Sequence, residues 1–375
     1  MPIELDVTPS APPFAADRLS RRGMLGVTAG GLLASGCATT STRTTAARSA
    51  CLPPVHASAD RVIRTVAGLR PFRPAGFRVE REALGETALV HNYGHGGAGI
   101  TLSWGTSRLA TALGLPGHRG PVAVLGAGVV ALTTARLVQE AGYPVTLYAE
   151  QLPPHTTSNI AGGQIHAYGH FDSDAVTSEW RAQLDAAYDY SVRRFQIMAG
   201  DEYGIHWLPT YVGGGSRGGP HMPDFRILDR SEHPFALDSV ARYQTMYVET
   251  GRFLRTLSRD IQIAGGRFVV RRFAAAAEVA ALPERLVFNC TGLGAGALFG
   301  DASLYPIRGQ LAILLPQPEV RYAYNGAAGY MFPRADGIVV GGTYEKHVAD
   351  PTPQPQDIAD ILTSMNGLFS GFRCS

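Results

Sequence analysis

Apolar and polar positions change rhythm along this chain, and the changes mark out its elements. From 59 to 82 they alternate, with prolines between them, a period of two that predicts β-strands at the rim of a sheet. LVHNYG at 89–94 is a further short strand running into glycines. The spacing turns helical from 100 to 113, and LPGHRGP at 115–121 ends that helix. The run VAVLGAGVVALTTARLVQEAGYPVTLYAE, 122–150, reads as strand, tight glycine turn, helix and a second strand ending in an acid. Beyond it, 176–199 carries Trp180, Leu184, Tyr188 and Val192 at helical spacing, 213–220 is a glycine-rich mobile loop, and 249–264 is a helix followed by a strand at 267–273. An apolar strand runs into glycines over 286–300 and returns the chain to the first sheet. Positions 306–343 read as strands of a second, antiparallel sheet and 358–368 as a closing helix. No internal repeat is visible.

Composition narrows the class. A chain of 375 residues that is 45% hydrophobic buries a large core and divides into two lobes. A net charge of +2 without a basic run argues against nucleic acid as a partner. Lys346 is the one lysine, so nearly every base is arginine, which reads as codon bias rather than chemistry. The segment SRRGMLGVTAGGLLASGC, 20–37, has paired arginines, a short apolar stretch and small residues before a cysteine, too short to span a bilayer. It resembles a twin-arginine export signal, with Met24 and Leu25 where that consensus has Phe and Leu. Leu33 to Cys37 also resembles a lipoprotein box, with Ala34 where Leu is preferred, which leaves lipidation of Cys37 and plain cleavage both open. The expectation is an exported protein, periplasmic or anchored to the membrane through Cys37, with a cytoplasmic one as the alternative.

Gly126, Ala127, Gly128, Val129, Val130 and Ala131 fit G-x-G-x-x-G/A. The first glycine permits the turn, the second lets backbone approach a pyrophosphate, and Ala131 lets the helix sit close to the strand. The helix N-terminus then offers free N–H groups to the phosphates. Glu150, about twenty residues on, is placed to bond ribose hydroxyls. This turn does not by itself distinguish FAD from NAD.

The distinction comes from HNYGHGGAGITLSWG, 91–105, which closely resembles the signature of the D-amino acid oxidase family. GLRPFRP (68–74), TTSNIAGG (156–163), NCTG (289–292), RGQ (308–310), YN at 324–325 and YMFP (330–333) are similar to further segments of that family. The order differs, because the segment from about 59 to 113 ends the usual oxidase and stands first here. The chain therefore resembles a circular permutation, with 114–120 as the new linker, of a length usual for loops. The resemblance implies an α/β fold: a doubly wound, Rossmann-type FAD domain assembled from separated segments, plus an antiparallel substrate domain. Its boundaries would be an export signal at 1–37, a tether at 38–58, substrate-domain strands at 59–88, FAD-binding core at 89–170, substrate domain at 171–248, FAD domain at 249–305 and substrate domain at 306–375.

The same resemblance implies a site. Arg70 would grip the substrate carboxylate through paired hydrogen bonds. Tyr330 would be the phenol that assists it, Tyr324 a tyrosine at the mouth of the pocket, and Gly97 part of the substrate wall. Gly96, Gly97, Ala98, Gly99, Ile100 and Thr101 would lie beside the flavin ring and stabilise charge on it through backbone N–H groups. Thr157, Ser158, Gly162, Gly163, Gln164 and Phe273 would add cofactor contacts. The reaction implied is oxidative deamination of a D-amino acid by hydride transfer to FAD, with molecular oxygen as acceptor and 2-oxo acid, ammonia and hydrogen peroxide as products. Two rivals stay open: an exported flavin dehydrogenase passing electrons to quinone or another carrier, and a lipoprotein that binds a nucleotide without turnover. No obligatory general base is implied, and neutral D-amino acids are the expected substrates. His91 and His95 have i, i+4 spacing, but the glycines and strand pattern around them predict no metal site. In a permuted chain the ends carrying Cys51 and Cys374 come from one cut, so an oxidising compartment would let them bridge; idle thiols are the alternative.

Overall fold

A computed structural model describes residues 51–167 and 169–373. The leader, Cys37 and Cys374 lie outside the described residues. Six strands form the first sheet, in the order β2 (Arg78–Leu84), β3 (Thr87–Tyr93), β10 (Leu286–Asn289), β4 (Val122–Leu125), β5 (Val145–Ala149) and β9 (Arg267–Val270). All pairs from β3 to β9 are parallel, and β2 closes one edge antiparallel. Every residue of β4, β5 and β10 is buried, because helices cover both faces, and that is why these segments read as unbroken apolar runs. One face carries α1 (Gly99–Gly114), α2 (Val129–Glu140) and α5 (Thr250–Ile263); the other carries α6 (Ala276–Ala280) and α7 (Gly294–Phe299) over Leu125, Val279 and Val287.

The α1–α2 contact is close and hydroxyl-lined. Ser107 bonds Thr133 at 2.9 Å and Thr134 at 2.8 Å, and the Asn92 amide reaches Thr134 at 3.2 Å. On its outer side α1 meets α4 (Ser178–Ile197) almost backbone to backbone. A Cβ on Gly105 would sit 1.9 Å from the Ala187 carbonyl oxygen, and the Gly105 N–H donates to the Ser191 hydroxyl at 2.8 Å. This glycine is therefore fixed by helix crossing.

The second sheet has nine strands. Its path is β1 (Val62–Phe72), β11 (Tyr305–Leu314), β14 (Gly337–Gly341), β13 (Gly329–Arg334), β12 (Ala323–Gly326), β6 (Ile205–Gly213), β8 (Ser239–Val248) and β7 (Arg226–Asp229), with β15 (Glu345–Lys346) also on β11. Pairing is antiparallel except between β12 and β6. One face packs Met331, Val340 and Tyr322 against Ile358, Leu362 and Met365 of α8 (Pro355–Ser370). The opposite face carries Leu311, Phe332, Val339 and Tyr247 and meets the short α3 (Thr157–Ile160).

Three expected boundaries are corrected. Strand β2 lies in the first sheet rather than with the substrate strands, because its register runs Arg78 against Tyr93 to Leu84 against Thr87. Helix α4 packs on α1 and shares its core through Val192 and Phe195, so it leans on the dinucleotide domain. Residues 52–57 are not a free tether: Val55 and Ala57 are buried, and the Tyr322 hydroxyl donates to the Pro53 carbonyl at 2.7 Å. Cys51 is disulfide-bonded and Cys290 is a free buried thiol.

Candidate active site

Strands β3, β10 and β4 stand side by side, so the turns after them open at one edge of the sheet. Gly126 turns the chain at φ +108°, donates to the Tyr148 carbonyl at 2.7 Å, and has the Cys290 carbonyl oxygen where a Cβ would come within 2.6 Å. Helix α2 starts at the N-cap Gly128, which has no side chain to cap it; the Ser158 hydroxyl takes the Val129 N–H at 3.0 Å, leaving Val130 and Ala131 without intrahelical acceptors. Helix α1 starts equally bare at Ala98, leaving the N–H groups of Gly99, Ile100 and Thr101 for an outside partner. Two helix N-termini with free N–H groups, following β3 and β4 on either side of β10, are a place for anionic groups. At the end of β5, Glu150 is exposed with its carboxylate 3.7 Å from Arg272, open to ribose hydroxyls. These features fit FAD, whose pyrophosphate the N–H groups of α2 would hold and whose ring the N–H groups of α1 would meet.

Other expected cofactor contacts are distributed around this cradle. Thr157 and Ser158 open α3 beside the Gly126 turn, and the Gly163 carbonyl accepts from the Val248 N–H at 2.8 Å. Gly162 lies against Phe332 and Tyr330. The Thr101 hydroxyl holds the crossing segment through the carbonyls of Gln164 and His166, both at 3.2 Å. Gly96 donates to Pro71 at 2.8 Å and is pressed by the His170 backbone, which would lie 2.6 Å from a Cβ. Phe273 packs edge-on to Tyr148, and Arg271 lies 4.4 Å over one face of its ring.

Arg70 projects from β1 on the face towards the cradle. Its guanidinium spreads over Gly309 of β11, where a Cβ would come within 2.4 Å, and its stem passes Gly97, where a Cβ would come within 2.8 Å. One nitrogen donates to the Thr343 carbonyl at 3.3 Å, and the exposed Tyr344 ring lies 5.7 Å away. Burial raises the pKa of the Tyr330 phenol, and Arg70 opposes it through its charge and through hydrogen bonding. Arg70, Gly97 and Tyr330 are thus together.

Tyr324 is not with them. Register pairs Tyr324 with Met331 and Asn325 with Tyr330, so Tyr324 points to the opposite face, where it packs 5.1 Å from Phe235 in the α8 core. Asn325 takes the place expected for it, on the Tyr330 face, and donates to the Gln164 carboxamide oxygen at 3.1 Å. Asn325, half of the YN match, and Gly309, inside RGQ, carry no expected role, since a strand's local pattern does not show which face its residues take. Arg308 and Gln310, on either side of Gly309, face away and bond Glu345, whose carboxyl Arg308 holds down to about 2.

His91 and His95 are spent on structure. The His91 ring bonds Asn289 across the β3–β10 pair at 3.0 Å and sits 3.0 Å from the Glu82 carboxylate; His95 bonds Thr106 at 2.9 Å. Burial holds His95 down at about 3 and His170 at about 4, so both are neutral. A cavity of about 370 Å³ lined by Ile165, Val192, Trp207 and His221 is not lined by Arg70 or Tyr330.

The fold and cradle define a flavin-dependent oxidoreductase, and comparison with known proteins agrees. The family model described as FAD dependent oxidoreductase matches residues 9–113 and 121–374, and the chain belongs to that family; FAD is its cofactor. Among curated proteins it is similar to the D-amino acid oxidase of Dugesia ryukyuensis, 26% identical over 67% of this chain and 78% of the relative. It is also similar to the D-amino-acid oxidase of Streptomyces coelicolor, 28% identical over 65% and 76%, and to the human D-aspartate oxidase, 27% identical over 64% and 74%. Among solved structures it is similar in fold to glycine oxidase from Geobacillus kaustophilus, with a TM-score of 0.53 at 15% identity over 68% of this chain and 79% of that one.

Proposed function

We propose that this protein is an exported D-amino acid oxidase built in circularly permuted order. The observation that carries the activity is the Arg70–Tyr330 pair, set over Gly309 and beside Gly97 on the face that meets the bare N-terminus of α1. Bound FAD supplies a two-electron acceptor that oxygen regenerates, with hydrogen peroxide as the second product. The chain's own part is to bind and orient. Arg70 takes the α-carboxylate in a two-point grip, Tyr330 adds a hydroxyl to the same oxygens, and the sheet behind them keeps water from that side. With the carboxylate fixed, the α-carbon has one orientation open to it, and the imino acid formed hydrolyses to 2-oxo acid and ammonia. The named D-amino acid oxidases among the relatives support this substrate class.

Permutation is supported by the two-piece family match, whose break at 114–120 falls in the connection between α1 and β4. Export is supported by the Cys51 disulfide, since such bonds persist in oxidising compartments. Lipidation of Cys37 is part of the same proposal. The test is anaerobic reduction of the bound flavin by matched D- and L-amino acids, followed by readmission of oxygen with peroxide counted. Bleaching by D-isomers and stoichiometric peroxide are expected. Bleaching by L-isomers alone, or reoxidation by quinone and not by oxygen, would replace this reading with a dehydrogenase; no bleaching at all would leave a binding protein.

A further inference from the structure

Next to the carboxylate grip lies a second polar pair. Asn325 and Tyr330 are cross-strand partners on one face, and the Asn325 amide nitrogen donates to the Gln164 side-chain oxygen at 3.1 Å. That bond uses one donor and one acceptor of the two carboxamides. The Gln164 amide nitrogen is buried and makes no hydrogen bond of good geometry, although it is near enough to the Tyr243 phenol to oppose the rise that burial gives its pKa. Among the described residues, Asn325 bonds through its amide nitrogen and no donor reaches its side-chain oxygen. An open donor and an open acceptor on adjoining amides form a two-point site, and the donor, being buried, is costly to leave unpaired. Around the pair, Tyr243 is uncharged, and burial lowers the pKa of His166, which favours its neutral form.

We infer that Gln164 and Asn325 form a side-chain subsite for an uncharged carboxamide, so that the preferred substrates are D-amino acids of the D-asparagine and D-glutamine class. This rests on the reading of Arg70 and Tyr330 as the carboxylate grip of an amino acid oxidase. A carboxamide offers one acceptor to the Gln164 nitrogen and one donor to the Asn325 oxygen. A carboxylate offers no donor and would set its charge against the Asn325 oxygen; a branched aliphatic chain would leave both amides unpaired. Selection of this kind comes from the cost of the unpaired site more than from added attraction.

The experiment compares near-isosteric D-amino acids on the FAD-loaded protein: D-asparagine, D-leucine and D-aspartate, and D-glutamine, D-methionine and D-glutamate. Rates of anaerobic flavin reduction should favour each amide over its aliphatic and acidic counterparts by about tenfold or more. In Asn325→Leu the ratio of D-asparagine to D-leucine should fall about tenfold, with retained flavin absorbance reporting that the protein still folds. D-leucine or D-aspartate oxidised as fast as D-asparagine by the unaltered protein overturns the subsite while leaving the oxidase reading in place. An unchanged ratio in a flavin-loaded Asn325→Leu does the same. A protein that no D-amino acid reduces overturns both.

Discussion

Truncation of Arg70 is the sharpest test of the site. The guanidinium bonds the Thr343 carbonyl, spreads over Gly309 and lies 5.7 Å from the Tyr344 ring, and although its stem passes Gly97, none of these contacts involves the free N–H groups that open α1 and α2. Arg70→Ala should therefore keep its yellow colour. What it loses is the charged partner of the substrate carboxylate. Removing one member of a desolvated charge pair costs about 2–5 kcal/mol, and the partly exposed setting of Arg70 argues for the lower half, about 3 kcal/mol. At 1.4 kcal/mol per factor of ten, that is a loss of about 100-fold in kcat/KM. It should fall mainly on KM, because the grip is made in the ground state as well as in the transition state. Arg70→Lys keeps the charge but not the fork and should recover only part of the loss. Gly309→Ala approaches the same point from the other side, since its Cβ would fall within 2.4–2.5 Å of the guanidinium atoms and must displace them. The assay is anaerobic titration with D-alanine read by flavin absorbance. Near-normal KM in a flavin-loaded Arg70→Ala would mean that the carboxylate is held elsewhere, and loss of flavin would mean that Arg70 belongs to the cradle.

Gly105→Ala should destabilise the protein by at least 1–3 kcal/mol with no specific effect on substrate affinity, because its Cβ would sit 1.9 Å from the Ala187 carbonyl oxygen; thermal denaturation reads this directly. Non-reducing peptide mapping should join Cys51 to Cys374 rather than to Cys37, since Leu52 and Phe372 pack on the same core; reduction should then cost up to about 5 kcal/mol of stability. Stability should fall as pH drops below about 6.5. His95 and His170 stay neutral in the fold down to about 3 and about 4, whereas the unfolded chain binds protons near 6.5, so each contributes up to about 1.4 kcal/mol per pH unit. Urea midpoints equal at pH 7 and pH 5 would contradict this.

What the chain's pattern makes legible is the part governed by local geometry. Strand β4, the Gly126 turn and α2 follow one another without a gap, so the cradle is written in a continuous stretch of about twenty residues. Helices α1, α4, α5 and α8 carry enough apolar positions at helical spacing to be read within one to three residues of their observed ends. The sheet to which a short strand belongs is not local information. Strand β2 has the alternating pattern of any half-exposed strand, and only its pairing with β3 assigns it to the dinucleotide sheet. The docking of 52–57 escapes for a similar reason: Val55 and Ala57 are two small apolar residues among prolines, and their partners Tyr322 and Gln317 are some 260 positions away.

The exchange of Tyr324 for Asn325 turns on the same difference. Spacing along the chain orders residues on a strand, but across a hairpin the face is set by register. In the β12–β13 hairpin Gly326 pairs with Gly329, so residues whose numbers add to the same total share a face, and Tyr330 shares it with Asn325. Once the turn is fixed there, Tyr324 must side with Met331 and enter the α8 core, where burial of its ring contributes packing instead of chemistry. A shift of one residue in that pairing would return Tyr324 to the pocket and bury Asn325 among apolar side chains, leaving its amide unpaired at a cost of about 1–3 kcal/mol. The observed register avoids that cost, and in doing so it gives the site a carboxamide where a phenol was expected.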